Sequence, residues 1–143
     1  MGEGELSGEV VVTWPVYDVD GATTGRLLRQ AGLTVRLEPK TGPRSADELI
    51  ELLGDHAVAA IASTDPFDAT VIAACPKLRV IARTGVGVDS IDMAAATAAG
   101  VAVATAPGTN EETVADHTLA LMLALLRRLP EHDLSLRERR WDR

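Results

Sequence analysis

The sequence predicts an α/β fold: a doubly wound, five-stranded parallel sheet with helices on both sides, followed by one long helix. Three observations carry this prediction. Short apolar stretches alternate with stretches of helical spacing through the first hundred or so residues. The apolar stretches are hydrophobic at successive positions, which suits strands buried on both faces. The connections between them are short, as in compact doubly wound domains.

The elements follow in order. Residues 1–8, rich in Gly and Glu, read as a flexible leader. Glu9 to Trp14 is a β-branched run that predicts the first strand. Asp20–Gly21 marks a turn. Ala22 to Ala31 carries Leu27, Leu28 and Ala31 at helical spacing, and Gly32 ends that helix. Leu33 to Leu37 is the second strand, followed by a Pro/Gly loop through Pro43.

Ser45 and Glu48 have the spacing of a capping box, so the next helix starts there; Gly54–Asp55 ends it. Val58 to Ala62 is the third strand. Asp68 or Ala69 opens a short helix that reaches Cys75 and stops at Pro76. Leu78 to Ala82 is the fourth strand. Ile91 to Ala99 is a helix closed by Gly100, and Val101 to Ala104 is the fifth strand.

Thr109 to Glu112 repeats the capping-box spacing and opens the long helix. Arg127 and Arg128 in its last turn and Pro130 beyond predict its end. Leu119 to Leu126 is apolar on every side, so this helix expects cover all round, more than a five-stranded domain supplies. Another domain or another subunit is expected to provide it. Leu129 to Arg143 reads as a charged tail. The predicted organisation is a leader (1–8), a domain (9–106) and a helix with its tail (107–143).

Composition limits the function classes. The 143 residues hold 14 basic and 21 acidic side chains, a formal net charge of −7, which disfavours nucleic-acid binding. The longest strongly apolar run, Leu119 to Leu126, is far too short to span a membrane. Cys75 is the only cysteine, which fits a reducing compartment, and no secretory signal pattern opens the chain. A cytoplasmic protein is expected.

Arg83–Thr–Gly85–Val–Gly87–Val–Asp89 lies between a strand and a helix. It is not a dinucleotide fingerprint, since G-x-G-x-x-G would need glycine where Ser90 stands. Its two glycines allow close approach to backbone N–H groups, at the strand end where open α/β sheets bind anions. Composition alone favours an ordinary tight turn. Ser63–Thr64–Asp65–Pro66 also follows a strand; its hydroxyls suit a polar ligand, while composition alone favours a helix cap. Asp116 and His117 are adjacent on a helix and cannot face each other as a catalytic pair. His56 and His132 show no partner, and no metal-ligand spacing occurs. Asp18, Asp20 and Asp65 invite comparison with a phosphoacceptor pocket. The fifth strand, however, ends in Thr105–Ala106–Pro107 without the lysine such a pocket wants.

From Leu78 to the end, the chain reads LRVIARTGVGVDSIDMAAATAAGVAVATAPGTNEETVADHTLALMLALLRRLPEHDLSLRERRWDR. The motifs R-x-G-V-G-x-D, G-V-A-V, T-x-P-G-x-N, V-A-D-H-T and W-D-R resemble the D-isomer-specific 2-hydroxyacid dehydrogenases, especially their phosphoglycerate-dehydrogenase-like members. The resemblance implies a flavodoxin-like substrate-binding domain with strand order 2-1-3-4-5. It implies a substrate carboxylate held by backbone amides at Val86 and Gly87, with Asn110 as a further substrate contact; the Ser63 and Thr64 hydroxyls are expected to bind substrate as well. Val86 and Val114 would approach the cofactor, NAD or NADP, and the substrate would be a small 2-hydroxy or 2-oxo acid. A homodimer through the 110–129 helix is expected. Phosphoglycerate-specific relatives carry an arginine where this chain has Ala62.

The resemblance also places the true G-x-G-x-x-G, the substrate arginine, the glutamate and the acid–base histidine in a cofactor domain beyond a W-x-R stretch. This chain contains none of them, so it is expected to be inactive alone. The other expectation is a non-catalytic module that dimerises or binds a small carboxylate.

Overall fold

The computed structural model describes residues 7–14 and 23–141. Residues 1–6 of the expected leader, the Asp20–Gly21 turn and Asp18 lie outside the described residues. The chain divides into two compact units, Met1–Ala106 and Pro107–Arg143.

In the first unit, five strands form one sheet: β1 (Gly8–Val12), β2 (Leu33–Leu37), β3 (Ala57–Ala62), β4 (Val80–Arg83) and β5 (Ala102–Ala104). All pairs are parallel, in the order β2-β1-β3-β4-β5. Between them run α1 (Thr23–Gln30), α2 (Ala46–Leu53), α3 (Ala69–Ala74) and α4 (Met93–Ala99). This is the predicted doubly wound α/β fold.

The core follows from the apolar strands. Val11, Ala60, Ala62 and Ile81 of the sheet pack with Leu49 and Leu53 of α2, Val71 and Ile72 of α3, and Phe67, all buried. Each of these helices has a local start signal. The Ser45 hydroxyl accepts the Glu48 N–H and the Glu48 carboxylate accepts the Ser45 N–H, the reciprocal box expected. Asp68 caps α3 through the Val71 N–H, and Asp92 caps α4 through the Ala95 N–H. Gly100 ends α4 at φ 69°, a left-handed C-cap.

Two expectations about this unit need correction. Ile91 does not begin a helix. It forms a parallel bridge with Phe67, and α4 starts two residues later because Asp92 is the cap. The fourth strand sits later than the periodicity placed it, at Val80–Arg83, carried to Arg83 by its pairing with Ala62.

A third correction falls in the second unit. There α5 (Glu111–Leu126) is followed by a second helix, α6 (Leu129–Arg137), where a tail was expected. Pro130 stands in the first turn of α6, where its missing N–H costs nothing, rather than simply marking the end of α5. No residue of α5 is buried. Among the described residues, no helix is long and apolar enough to cross a membrane.

Candidate functional site

Parallel strands present their carboxyl ends at one edge of the sheet, and ligands of open α/β sheets bind at that edge. Here the edge is formed by the residues after β1, β3 and β4. Ala62 and Arg83 are paired, and the Thr84 N–H donates to the Ala62 carbonyl at 2.9 Å. The Ser63–Asp65 and Thr84–Val88 loops therefore leave the sheet side by side. Farther along they are tied again: Phe67 N–H donates to the Ser90 carbonyl at 2.7 Å, and Asp92 N–H to the Phe67 carbonyl at 2.8 Å.

The Thr84–Val88 loop uses its backbone unevenly. Its carbonyls are engaged: Gly85 accepts from the Ala106 N–H at 3.1 Å, Gly87 from the Arg83 Nε at 2.9 Å, and Val88 from the Ile91 N–H at 2.9 Å. The N–H groups of Gly85, Val86 and Gly87 donate to no acceptor among the described residues. A loop with its acceptors spent and its donors open favours an anion. Arg83 adds positive charge and makes no ion pair among the described residues.

Neither glycine here is demanded by the backbone. Gly85 has no left-handed φ, and a Cβ built on it would meet nothing within 4 Å. At Gly87 a Cβ would approach the Asp89 carboxylate at 3.2 Å. The absent side chains leave open the approach to the free amides. Val86 projects an apolar side chain, 47% exposed, at the same loop.

Ser63 and Thr64 border a small cavity of about 130 Å³ with Thr13, Trp14, Lys40, Gly42 and Asp65. Neither hydroxyl of Ser63 and Thr64 is hydrogen-bonded among the described residues. Asp65 is buried, and its carboxylate accepts the Thr13 hydroxyl at 2.5 Å and the Arg44 N–H at 3.1 Å. The buried Arg44 guanidinium lies 3.6 Å from Asp65 and also donates to the Glu38 carbonyl. This one carboxylate joins the loops after β1, β2 and β3. Lys40 is paired with Glu48, Nζ to the two carboxylate oxygens at 2.6 and 2.8 Å. The ammonium of Lys40 is the main influence holding the Glu48 carboxyl below the usual range. Ala62, next to Ser63, is a core methyl.

The structure thus gathers Ser63, Thr64, Val86 and Gly87 at one edge of the first unit. Asn110 and Val114 occupy the first turns of α5 in the second unit. Asn110 borders an open hollow of about 350 Å³ with Gly108, Thr109 and Glu111 to Thr113. The Thr109–Glu112 capping box does not form. Asn110 is the N-cap, without a side-chain cap bond. Glu111 reaches back instead, its carboxylate accepting the Gly108 N–H at 2.5 Å and the Asn110 N–H at 3.1 Å. The first of these bonds contributes most to lowering its pKa. Val114 is 55% exposed.

Sequence reasoning singled out Asp65 but not its partners Thr13 and Arg44, and it gave Arg83 and Lys40 no role. Of these, only Arg83 had a local signal, as the first residue of its glycine motif. His56 does have partners: Glu9 at 3.3 Å, Asp55 at 3.9 Å and the Arg36 guanidinium at 3.1 Å. They belong to an ion cluster in which Arg36, near the carboxyl end of β2, also pairs with Glu9 and Glu38. Burial pushes the Cys75 thiol pKa up, away from thiolate chemistry. No metal-binding cluster occurs among the described residues.

Residues 14–132 match the family described as D-isomer specific 2-hydroxyacid dehydrogenase, catalytic domain. The chain is 44% identical over 116 residues to a D-3-phosphoglycerate dehydrogenase of Archaeoglobus fulgidus, covering 81% of this chain and 21% of that relative. It thus spans about a fifth of that relative's length. Among solved structures, the TT0316 protein of Thermus thermophilus superposes with a TM-score of 0.81 at 34% identity, over 94% of this chain and 42% of that one. The NAD+-bound 3-phosphoglycerate dehydrogenase of Entamoeba histolytica gives a TM-score of 0.70 at 28% identity, over 83% and 39%.

Proposed function

The chain belongs to the D-isomer specific 2-hydroxyacid dehydrogenase family, and from that premise we propose that it is the substrate-binding portion of an NAD(P)-dependent dehydrogenase acting on a small 2-hydroxy or 2-oxo acid. The observation that carries this reading is the Thr84–Val88 loop, with its carbonyls bound, its N–H groups open and Arg83 beside it. A carboxylate needs hydrogen-bond donors, which the Gly85–Gly87 amides supply, and Arg83 places a positive charge at the same loop.

In this reading the Gly85–Gly87 amides hold the substrate carboxylate, so that C2 lies over the edge of the sheet. Ser63 and Thr64 contact the rest of the substrate, and Asn110, whose side chain is not spent on capping, is a further contact. The exposed side chains of Val86 and Val114 each suit an apolar ring face, and each is read as a contact of the nicotinamide cofactor. The bound cofactor supplies or accepts the hydride.

Among the described residues of the first unit no histidine stands at the loop, and the Asp89 carboxylate lies at Gly87, on the side of the substrate's carboxylate rather than of its C2, so in this reading the chain alone is inert. Purified chain mixed with NADH and a panel of 2-oxo acids should show no oxidation of NADH above buffer. Turnover above that control would overturn the reading.

A second reading is a non-catalytic module that dimerises or binds a small carboxylate. The unburied apolar side chains of α5 favour it. In both readings the protein is cytoplasmic and forms a homodimer through residues 110–129.

A further inference from the structure

We infer that His56 makes the turn between α2 and β3 respond to acid: on gaining a proton, its ring gives up the Arg36 guanidinium and turns Nε2 to the Glu9 carboxylate. His56 stands in the short connection 54–56 between the two elements. Its Nε2 lies 3.1 Å from Arg36 Nη2 and 3.3 Å from Glu9 Oε2. The guanidinium nitrogen can only donate, and an ionised carboxylate oxygen can only accept. One ring nitrogen cannot satisfy both at once.

The donors of Arg36 decide which neighbour a neutral ring takes. Nε donates to Glu9 Oε2 at 3.0 Å and Nη1 to Glu38 Oε1 at 3.0 Å. Nη2 donates to the Leu52 carbonyl at 2.6 Å, which leaves its second hydrogen for His56 Nε2. The neutral ring accepts that hydrogen on the Nε2 lone pair and carries its own proton on Nδ1, 3.9 Å from the Asp55 carboxylate. Only a neutral ring can make this contact. A proton on Nε2 would set donor against donor and cation against cation.

The charged groups at the ring are Glu9 from β1, Arg36 from β2 with Glu38 behind it, and Asp55 beside it in the turn. Arg36 is fixed by its other acceptors on β1, after β2 and in α2, so the ring is the part that moves. Its side chain is 46% exposed, which gives bulk protons access. The protonated ring turns Nε2–H to Glu9 and keeps Nδ1–H toward Asp55, with a carboxylate at each end. The ring also rests on Gly54. A Cβ there would meet Cε1 and Nδ1 at 2.9 Å, and Gly54 sits at φ 48°. A swing of the ring therefore acts on the turn, while the buried Leu49 and Leu53 hold the body of α2 in the core.

The test is a titration of the ¹³C,¹⁵N-labelled 143-residue chain from about pH 8 to about pH 5, the range in which histidine changes charge, read by ring-nitrogen, carboxyl and amide NMR. At the upper end the His56 ring should carry its proton on Nδ1, with Nε2 bare. Toward the lower end both nitrogens should become protonated. The Gly54 and Asp55 amides and the Glu9 carboxyl carbon should shift on the same curve as the ring. His56→Gln keeps a polar side chain at this exposed position and removes the titrating group, so those three signals should lose that shift. His117 and His132, in the second unit, titrate in both proteins and give the internal reference. A proton on Nε2 at the upper end overturns the inference, and this reading needs no variant. So does a ring that keeps one charge state throughout. Gly54, Asp55 and Glu9 signals that stay still while the ring titrates, or that move as far in His56→Gln, overturn it as well.

Discussion

At the scale of single residues, two glycines separate a binding requirement from a folding requirement. Gly85 has an ordinary φ and open space where a Cβ would stand. Gly85→Ala should therefore leave the melting temperature unchanged or slightly raised, since alanine restricts the unfolded chain by about 0.4–1 kcal/mol. The same methyl should abolish carboxylate binding, which a ligand titration would show. Gly100 has equal space but sits at φ 69°. Gly100→Ala should cost roughly 1 kcal/mol in denaturant unfolding, from strain alone. Glu111 offers a third test. Its carboxylate holds the Gly108 and Asn110 N–H groups, and its pKa is depressed in the folded state. The stabilisation is therefore present above the unfolded value and is lost as pH falls through the lower folded value. Amide resonances of Gly108 and Asn110 should move together in acid below about pH 4.3, the ordinary glutamate pKa. Glu111→Gln should remove that movement.

At the scale of elements, the sheet rests on few large side chains. Phe67 is fully buried among Ile72, Ile81 and Ile91, and its backbone joins two loops. Phe67→Ala should cost roughly 3–5 kcal/mol. That is a large part of the roughly 5–15 kcal/mol that holds a domain together, so a chemical denaturation curve should shift strongly. The strands were legible because each is a short run of small or apolar residues with turn or helix signals on its flanks. Helices α2, α3 and α4 were legible through Ser45, Asp68 and Gly100, whose signals act within a few residues. Helix α6 was not, because Pro130 serves equally as the stop of one helix and the first turn of the next. The glycine loop of the candidate site was legible for the same local reason. The Asp65–Arg44 pair spans 21 positions and Lys40–Glu48 spans eight. Only the fold brings these charges together, and no spacing rule announces them.

At the scale of the whole molecule, the distribution of apolar surface sets the expected behaviour in solution. Leu119, Leu121, Met122, Leu123, Leu125 and Leu126 of α5 are each more than half exposed. Exposed apolar area of that kind drives association. Leu121→Glu with Leu125→Glu, one turn apart on the same helix face, should convert a self-associating chain to a monomer in analytical ultracentrifugation. Its far-ultraviolet circular dichroism should be unchanged. A chain that is monomeric before substitution would contradict the homodimer reading. The Phe67–Ile91 bridge bears on redesign. Because it fastens residues 63–67 to residues 84–92, a specificity loop transplanted from a relative must travel with its neighbour. Swapping either alone would leave mismatched ends at the graft, whereas exchanging both as one cassette would keep the seam intact.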